Sequence, residues 1–165
     1  MTIQVFGVDP RSKSKTQLPV RGPLPHVSRR ALARVRDRIE PPKACHCCGG
    51  PVRLISNAEI YGREYGAWPF AYRCSTCGAY IGLHPDTDLP LGIMADRATT
   101  KARKAAKGEF LALAGERFAG KQGEAYAWLA RALGIAPSIC HFGMFDQQRA
   151  QRAGDVCRLA REARA

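Results

Sequence analysis

Residues 45–50 read CHCCGG, and residues 74–78 read CSTCG. Both stretches have the form C-x-x-C-G when the first is aligned from its first cysteine. Two intervening residues give a turn in which both thiolates face one ion, and the glycine supplies backbone freedom where a positive φ is often needed. Two such turns, each leading into a hairpin, bring four thiolates into a tetrahedron. The predicted ligands of one Zn²⁺ ion are Cys45, Cys48, Cys74 and Cys77.

The residues inside the first turn compete with these ligands. His46 and Cys47 occupy variable positions, so we expect their side chains to point away from the metal, with His46 facing solvent. Cys47 as a substitute for Cys48 would break the match with the second turn. The 25 residues between the pairs exceed the usual spacing of about 15–20 but leave room for one hairpin. A four-thiolate zinc has no open position and is structural.

The charge of the chain is strongly basic and unevenly distributed. The formal net charge is +12 over 165 residues. Residues 1–44 and 97–165 each carry a net +7, whereas residues 45–96 carry a net −2. This distribution favours a polyanionic partner held by the basic flanks, with the cysteine-rich centre as a scaffold. Ordinary solubility charge is the alternative.

The cysteine count and the hydropathy indicate the cellular compartment in which the protein is expected. Seven cysteines is an odd number, which argues against a fully paired disulfide framework and favours a reducing cytoplasm. The first ten residues lack the features of a secretory signal, and no window reaches the ~20 apolar residues of a membrane span. We expect a soluble, cytoplasmic protein with no membrane partner.

The chain separates into three predicted regions: 1–43, 44–92 and 93–165. In the first, residues 9–28 indicate a flexible basic arm, followed by a short helix over 28–40 with Leu32, Val35 and Ile39 on one face. In the second, the β-type runs PVRLIS, WPFAYRC and AYIGLH predict hairpins around the cysteine turns.

The third region reads as a small helical domain. Asp96 is a candidate cap for a long basic helix that Gly115 is expected to end. A second helix should end at Gly134, with Ile135 as its hydrophobic partner, and Asp146 should cap the last one. The predicted fold class is α+β: a four-cysteine zinc ribbon packed with a helical C-terminal domain and preceded by a basic N-terminal arm.

Candidate nucleic-acid contacts lie in both basic flanks and in the ribbon. The cations of the long helix recur near one face, although a solvated face would look the same. In the ribbon, Phe70 and Tyr72 fit the core, whereas Tyr61, Tyr65 and Trp68 could stack on bases of a single strand. The predicted contact residues are Arg97, Lys101, Arg103, Lys104, Lys107, Arg29, Arg30 and Trp68.

Two looser groups of polar residues suggest other chemistry. Cys140, His141 and Cys157 offer three metal ligands at no standard spacing, which falls short of a second closed site. Within LHPDTD, His84, Asp86 and Asp88 could suggest a hydrolytic metal site, but a His-Pro turn followed by Asx-turn residues explains them. The sequence contains no phosphate-binding loop or nucleophile elbow.

The ordered motifs also carry a resemblance. From Ala44 to Cys157, the succession of the two cysteine turns, the aromatic-rich ribbon, AYAWLARALGI and CHFGMFD resembles a family of zinc-finger-containing domains of unknown function found in phages, prophages and bacteria. The resemblance implies a zinc finger at the four predicted cysteines and no settled reaction. A phage-encoded protein of this kind would be expected to act on DNA, RNA or a host machine such as RNA polymerase.

Three functions follow as hypotheses. The first is a non-enzymatic nucleic-acid-binding accessory protein, whose binding falls steeply with salt. The second is a module that docks on a host or phage protein and captures it independently of salt. The third is a metal-dependent nuclease using His84, His141 or the nearby aspartates. No small-molecule substrate is expected.

Overall fold

The computed structural model describes residues 5–163, and the chain divides into two compact units, Met1–Asp96 and Arg97–Ala165. The first unit contains all five strands of the described residues, and the second is helical. The predicted α+β class is confirmed, with an antiparallel ribbon sheet, a cluster of four cysteines and C-terminal helices. None of the described helices is both long and apolar enough to cross a membrane.

The N-terminal segment forms a small subdomain. Strands β1 (Val5–Phe6) and β2 (Arg38–Ile39) pair antiparallel, and helix α1 (Arg29–Arg34) lies between them in sequence. The helix predicted over residues 28–40 is therefore wrong in its second half. Val35 is already extended at φ −77° and ψ 107°, because the chain turns there to pair with β1.

The prediction of a flexible arm over residues 9–28 is also wrong. Leu18 and Leu24 are buried in two apolar clusters, and Asp9 is almost completely buried. Arg11 hydrogen-bonds the carboxylates of both Asp9 and Asp88, at 2.8 Å and 2.7 Å. The basic segment is therefore packed onto the ribbon, because the two leucines and this ion pair anchor it.

A three-stranded antiparallel sheet forms the ribbon. Its strands are β3 (Val52–Ser56), β4 (Phe70–Cys74) and β5 (Tyr80–Gly82), in the order β3-β4-β5. A single turn of helix, α2 (Ala58–Tyr61), follows β3. The prediction that Phe70 and Tyr72 belong to the core is confirmed, since both pack with Trp68 in one apolar cluster with Leu24 and Leu83.

The second unit consists of three helices. They are α3 (Arg97–Phe118), α4 (Gln122–Leu133) and α5 (Gln147–Glu162), with short 3-10 segments at Pro137–Ile139 and Phe142–Met144. Phe110, Leu113, Leu129 and Phe145 are completely buried at their centre. Helices α3 and α5 approach closely at Gly154, where an added Cβ would lie 3.3 Å from Ala106 Cα.

The helix ends predicted from glycine and aspartate positions can be compared with the structure. Gly134 adopts φ +67° and Asp146 accepts a hydrogen bond from the Arg149 N–H, so the predicted end of α4 and start of α5 are confirmed. Gly115 does not end α3, which continues to Phe118. Two residues beyond Phe118, Gly120 adopts φ +77° and caps the helix. Its N–H donates to the carbonyl oxygen of Ala114 in a C-terminal capping bond.

Candidate metal centre

The two cysteine turns have the same backbone geometry. In the first, the Cys45 N–H donates to the Gly50 carbonyl at 2.9 Å, and in the second the Cys74 N–H donates to the Ala79 carbonyl at 2.8 Å. The glycines after the second cysteines, Gly49 and Gly78, adopt φ +72° and +74°. This is the left-handed region in which a side chain is strained, so the expected role of both glycines is confirmed.

Strand pairing brings the two turns together. The first turn leads directly into β3, while β4 ends in Cys74, and Val52 lies opposite Cys74 in the antiparallel register. Beyond the sheet, the Ser75 N–H donates to the Pro51 carbonyl at 3.0 Å, which extends the pairing to the base of both turns. The hairpin therefore fixes the distance between two cysteine pairs that are remote in sequence.

The four sulfurs match the dimensions of a tetrahedral zinc site. Their Sγ atoms all lie within 4.8 Å of one another, and the Cys45–Cys77 and Cys48–Cys74 Sγ distances are both 3.5 Å. Zn–S bonds of about 2.3 Å require sulfur separations of about 3.8 Å in a tetrahedron. The four cysteines therefore form a site that can hold one zinc ion, with a closed ligand set.

Backbone N–H groups point at the sulfurs and prepare them for the metal. The N–H groups of Cys77 and Thr76 lie 3.5 and 3.3 Å from Cys74 Sγ. The hydrogen bond from Cys77, with that from Thr76, outweighs desolvation and lowers the pKa of Cys74 to about 6. Burial and hydrogen bonds between the sulfurs raise the pKa of Cys45, Cys48 and Cys77, so Cys74 is the thiol of the cluster that loses its proton first, and the thiolate is the form that binds metal.

The two residues inside the first turn do not join the sulfur cluster but face the end of the ribbon unit. The Cys47 thiol lies 3.7 Å from the Met94 carbonyl oxygen, and His46 Nδ1 accepts a hydrogen bond from the Met94 N–H at 3.1 Å. The prediction that His46 faces solvent is wrong, because the ring is half-buried and satisfies this backbone donor. It closes the first turn against residues 93–95.

The C-terminal cysteines have a different environment. Cys140 and Cys157 are buried in the helical unit, and Cys140 Sγ lies 3.7 Å from the Tyr126 carbonyl oxygen. Burial, with the charge of Glu109, raises the pKa of Cys157 to about 11, so this thiol is protonated at neutral pH. Within residues 5–163, the side chains that are close enough together to bind a metal are those of the four ribbon cysteines. Cys140, His141 and Cys157 do not belong to this group.

The two aspartates of the nuclease hypothesis are held in contacts with other parts of the first unit. Asp88 is almost completely buried and bound to Arg11, while Asp86 lies 3.1 Å from His26. The His84 carbonyl accepts a hydrogen bond from the Thr87 hydroxyl in the same turn. The turn itself is closed by Thr87, whereas the carboxylates of Asp86 and Asp88 bind residues that are remote in sequence, so the expected Asx turn is not what holds this loop.

The cations of α3 fall into two groups. Arg103 is half-buried, and its Nε donates to the Phe145 carbonyl at 2.7 Å, so it stabilises the helical unit. The other four predicted contact residues are exposed. They are Arg97, Lys101, Lys104 and Lys107.

The remaining predicted contacts lie in the first unit. Arg29 and Arg30 are exposed at the start of α1, and the Arg29 guanidinium also donates to the carbonyl oxygens of Ser14 and Thr16. Trp68 is half-buried, and its indole N–H donates to the Thr87 carbonyl at 3.0 Å. Its ring therefore belongs to the ribbon core.

The exposed aromatic side chains lie elsewhere. Tyr61 and Tyr65, in the segment YGREYG, keep 48% and 46% of their surfaces accessible. The Arg63 guanidinium lies over the Tyr65 ring, 4.6 Å from its centroid. From the sequence, both tyrosines are predicted as side chains that could stack on bases, but Arg63 is not; the available signal was the density of Gly, Arg and Tyr between two strands.

Comparison with known proteins bears on the ribbon. A family model described as a zinc-finger-containing domain matches residues 41–162, which include both cysteine turns and most of the helical unit. No curated protein and no solved structure matches the chain.

Proposed function

The chain belongs to the family of zinc-finger-containing domains, and on that premise we propose that it is a non-enzymatic nucleic-acid-binding accessory protein. In this proposal zinc holds the ribbon together, and exposed cations of α3 and of the N-terminal segment contact phosphates of DNA or RNA. A four-thiolate zinc leaves no position for an activated water, which supports a structural role for the metal.

The observation that carries the proposal is the exposed basic face of α3. Arg97, Lys101 and Lys104 lie within one stripe of the helix, roughly opposite the buried side chains of Ala106 and Phe110. Residues 97–108 contain no Asp or Glu. Among the described residues, the salt bridges of the helical unit do not involve this stripe. The charges are therefore available to an external anion.

The position of these cations within the helix supports the same conclusion. They occupy the N-terminal half of α3, where the helix dipole disfavours positive charge by about 0.3–1 kcal/mol for each residue in the first turn. Arg97 stands in that turn, which contains no Asp or Glu, although Asp96 directly precedes it. Helix stability does not account for such an arrangement, whereas a phosphate partner does.

The family and the thiols suggest the setting. We place the protein in a reducing cytoplasm, because the exposed thiols of Cys48 and Cys77 would be open to oxidation elsewhere. A phage origin, with the host cytoplasm as the compartment, is the setting that the resemblance implies.

The test is a binding titration of the zinc-loaded full chain against single-stranded DNA, duplex DNA and RNA at two salt concentrations. Lys101→Ala/Lys104→Ala should lower the salt slope by roughly 1.4–1.8, since each phosphate contact contributes about 0.7–0.9. Lys121→Ala/Arg131→Ala removes the same formal charge from the N-cap and the last turn of α4 and should change the slope little. Absence of binding by the unmodified protein at low salt, or equal losses in both double variants, would overturn the proposal.

Docking on a protein is the competing outcome of this experiment. It would be recognised by salt-insensitive capture of one partner in the absence of nucleic-acid binding.

A further inference from the structure

We propose that the ribbon carries a second nucleic-acid surface, a tyrosine–arginine patch that stacks on the unpaired bases of a single strand. This inference rests on the proposed nucleic-acid function and names the form of nucleic acid that the ribbon selects. The patch consists of Tyr61, Tyr65, Tyr80, Arg53, Arg63 and Arg73.

The tyrosines of the patch hold one another in place. Tyr61 packs edge-to-face against Tyr65 at a centroid distance of 5.4 Å and against Tyr80 at 6.0 Å. The Tyr61 hydroxyl donates to the Tyr80 hydroxyl at 3.1 Å, and burial together with this bond raises the pKa of Tyr61 to about 12. The Asn57 side chain bonds both the N–H and the carbonyl of Tyr65. The rings are therefore preorganised although nearly half of Tyr61 and of Tyr65 is accessible.

All the Lys and Arg residues of the ribbon segment are gathered at this patch. Between residues 45 and 96 the chain has three of them, at 53, 63 and 73. Arg53 and Arg73 lie directly opposite each other in the β3–β4 register, and Arg73 is opposite Tyr80 in the β4–β5 register. Like charges in opposite positions destabilise a sheet, so this row is not explained by strand pairing.

The nearby acids offset these cations only in part. The Glu59 carboxylate lies 3.6 Å from Arg53, and its backbone carbonyl accepts a hydrogen bond from Arg73. Glu64 receives a hydrogen bond from the Ser56 hydroxyl. Three arginines against two glutamates leave a net positive patch on a segment whose total charge is −2. A polyanion with accessible flat rings complements both the charge and the aromatic surface.

Single strands fit the patch better than duplexes for a geometric reason. The accessible rings are two phenols within 6 Å of each other, and phenol faces stack on bases that are not enclosed in a helix. Arg63, over the Tyr65 ring, adds a cation at the edge of the platform that can reach the phosphate joining two bases. The duplex, whose bases are stacked on one another, offers only its phosphates.

The experiment uses the zinc-loaded full chain and two probes of about 12 nucleotides, a single strand containing 2-aminopurine and the blunt duplex of the same sequence. Tyr61→Leu/Tyr65→Leu should weaken single-strand binding about tenfold or more, because stacking on an aromatic contributes strongly for each base. Duplex binding should stay within about twofold, and the 2-aminopurine signal should no longer change on binding.

Matched variants separate stacking from other effects. Tyr61→Phe/Tyr65→Phe keeps both rings and should retain single-strand binding. Arg63→Ala should lower the single-strand salt slope by about 0.7, whereas Arg131→Ala, exposed on α4, should not. Zinc content measured on every variant reports the integrity of the ribbon.

The outcomes distinguish the two proposals. If the unmodified protein binds neither probe at low salt, the nucleic-acid function itself fails, and the patch proposal fails with it. If single-strand binding persists in the leucine variant, or falls equally for both probes, only the patch proposal is overturned. Capture of a protein that the leucine variant loses, without nucleic-acid binding, would overturn it in favour of protein docking.

Discussion

The guanidinium of Arg11 lies 2.7 Å from the carboxylate of Asp88, a residue 77 positions further along the chain. The same guanidinium holds Asp9, whose carboxylate also lies 3.6 Å from Arg38, so two arginines face two carboxylates that are almost completely buried. The Asp88 carbonyl in turn accepts a hydrogen bond from the buried Tyr72 hydroxyl at 2.8 Å. This network fastens the N-terminal segment to the last loop of the ribbon.

Removal of Arg11 should destabilise the first unit strongly. In Arg11→Met two buried carboxylates lose their common partner, and breaking a buried pair in this way costs about 3 kcal/mol in the free energy of unfolding. Arg36→Met, an exposed arginine of the same segment, should cost less than about 0.5 kcal/mol. Urea unfolding followed by tryptophan fluorescence measures both, and equal stabilities would show that the network contributes nothing.

Acid should weaken the same network. Burial alone would raise the pKa of Asp9, but the hydrogen bonds and charge of Arg11, with the charge of Arg38, hold it below 3.8. A folded-state pKa below the unfolded value stabilises the protein above about pH 3.8 and loses that contribution as the pH falls through the folded value. Asp9→Asn should remove this part of the pH dependence; an unchanged stability profile below pH 4 would contradict the assignment.

Zinc stoichiometry should separate ligands from neighbours in the first turn. Cys48→Ser should lose the ion, because only three thiolates remain. Cys47→Ser should retain one equivalent, since its sulfur faces the Met94 carbonyl instead of the cluster. Metal analysis of the purified variants measures the zinc content. Loss of zinc from Cys47→Ser would show that Cys47 is a ligand and would contradict the ligand assignment.

Gly50 should be intolerant of a side chain. A Cβ there would lie 2.5 Å from Thr76 Oγ1 and 3.2 Å from Cys48 Sγ, so Gly50→Ala must displace a ligand or the opposite turn. We expect weaker zinc retention against a competing chelator. Gly22→Ala, with no atom within 4 Å of its added Cβ, is the control in the same unit. Equal retention in both variants would show that the close approach is not maintained.

Replacing a helical glycine by alanine should change stability differently in α3 and in α5. Gly115→Ala adds a methyl group to open space on α3 and should stabilise the helical unit by about 0.5–1 kcal/mol through helix propensity. Gly154→Ala gains the same propensity on α5 but places its Cβ 3.3 Å from Ala106, so the gain should be cancelled or reversed. Thermal unfolding compares the two, and equal gains would contradict the close packing of α3 and α5.

The zinc ligands could be predicted because their signal is local. The spacing within each cysteine pair and the following glycine describe a turn completely, and two copies of one turn specify one site. Gly115 was misjudged as a helix end because an exposed glycine costs only about 1 kcal/mol, which the buried side chains of Phe110 and Leu113 offset.

The packing of the arm, and the choice of exposed rings among Tyr61, Tyr65 and Trp68, were beyond local signals. No pattern within residues 9–28 shows that Arg11 has a partner at position 88, so the segment looked polar and unpacked. Likewise, composition does not reveal which aromatic rings stay outside. Trp68 is taken into the core by its bond to Thr87, whereas the Asn57 side chain fixes the backbone of Tyr65 at the surface.

The Arg11–Asp88 contact also has a consequence for biosynthesis. At about 5–20 residues per second, the ribosome takes roughly 4–15 s to extend the nascent chain from one partner to the other. During that interval Arg11 can bind Asp9, two residues away, but the N-terminal segment cannot complete its contacts with Asp88. The first part of the protein to be synthesised is therefore among the last to reach its native position, after both cysteine turns have left the peptidyl transferase centre.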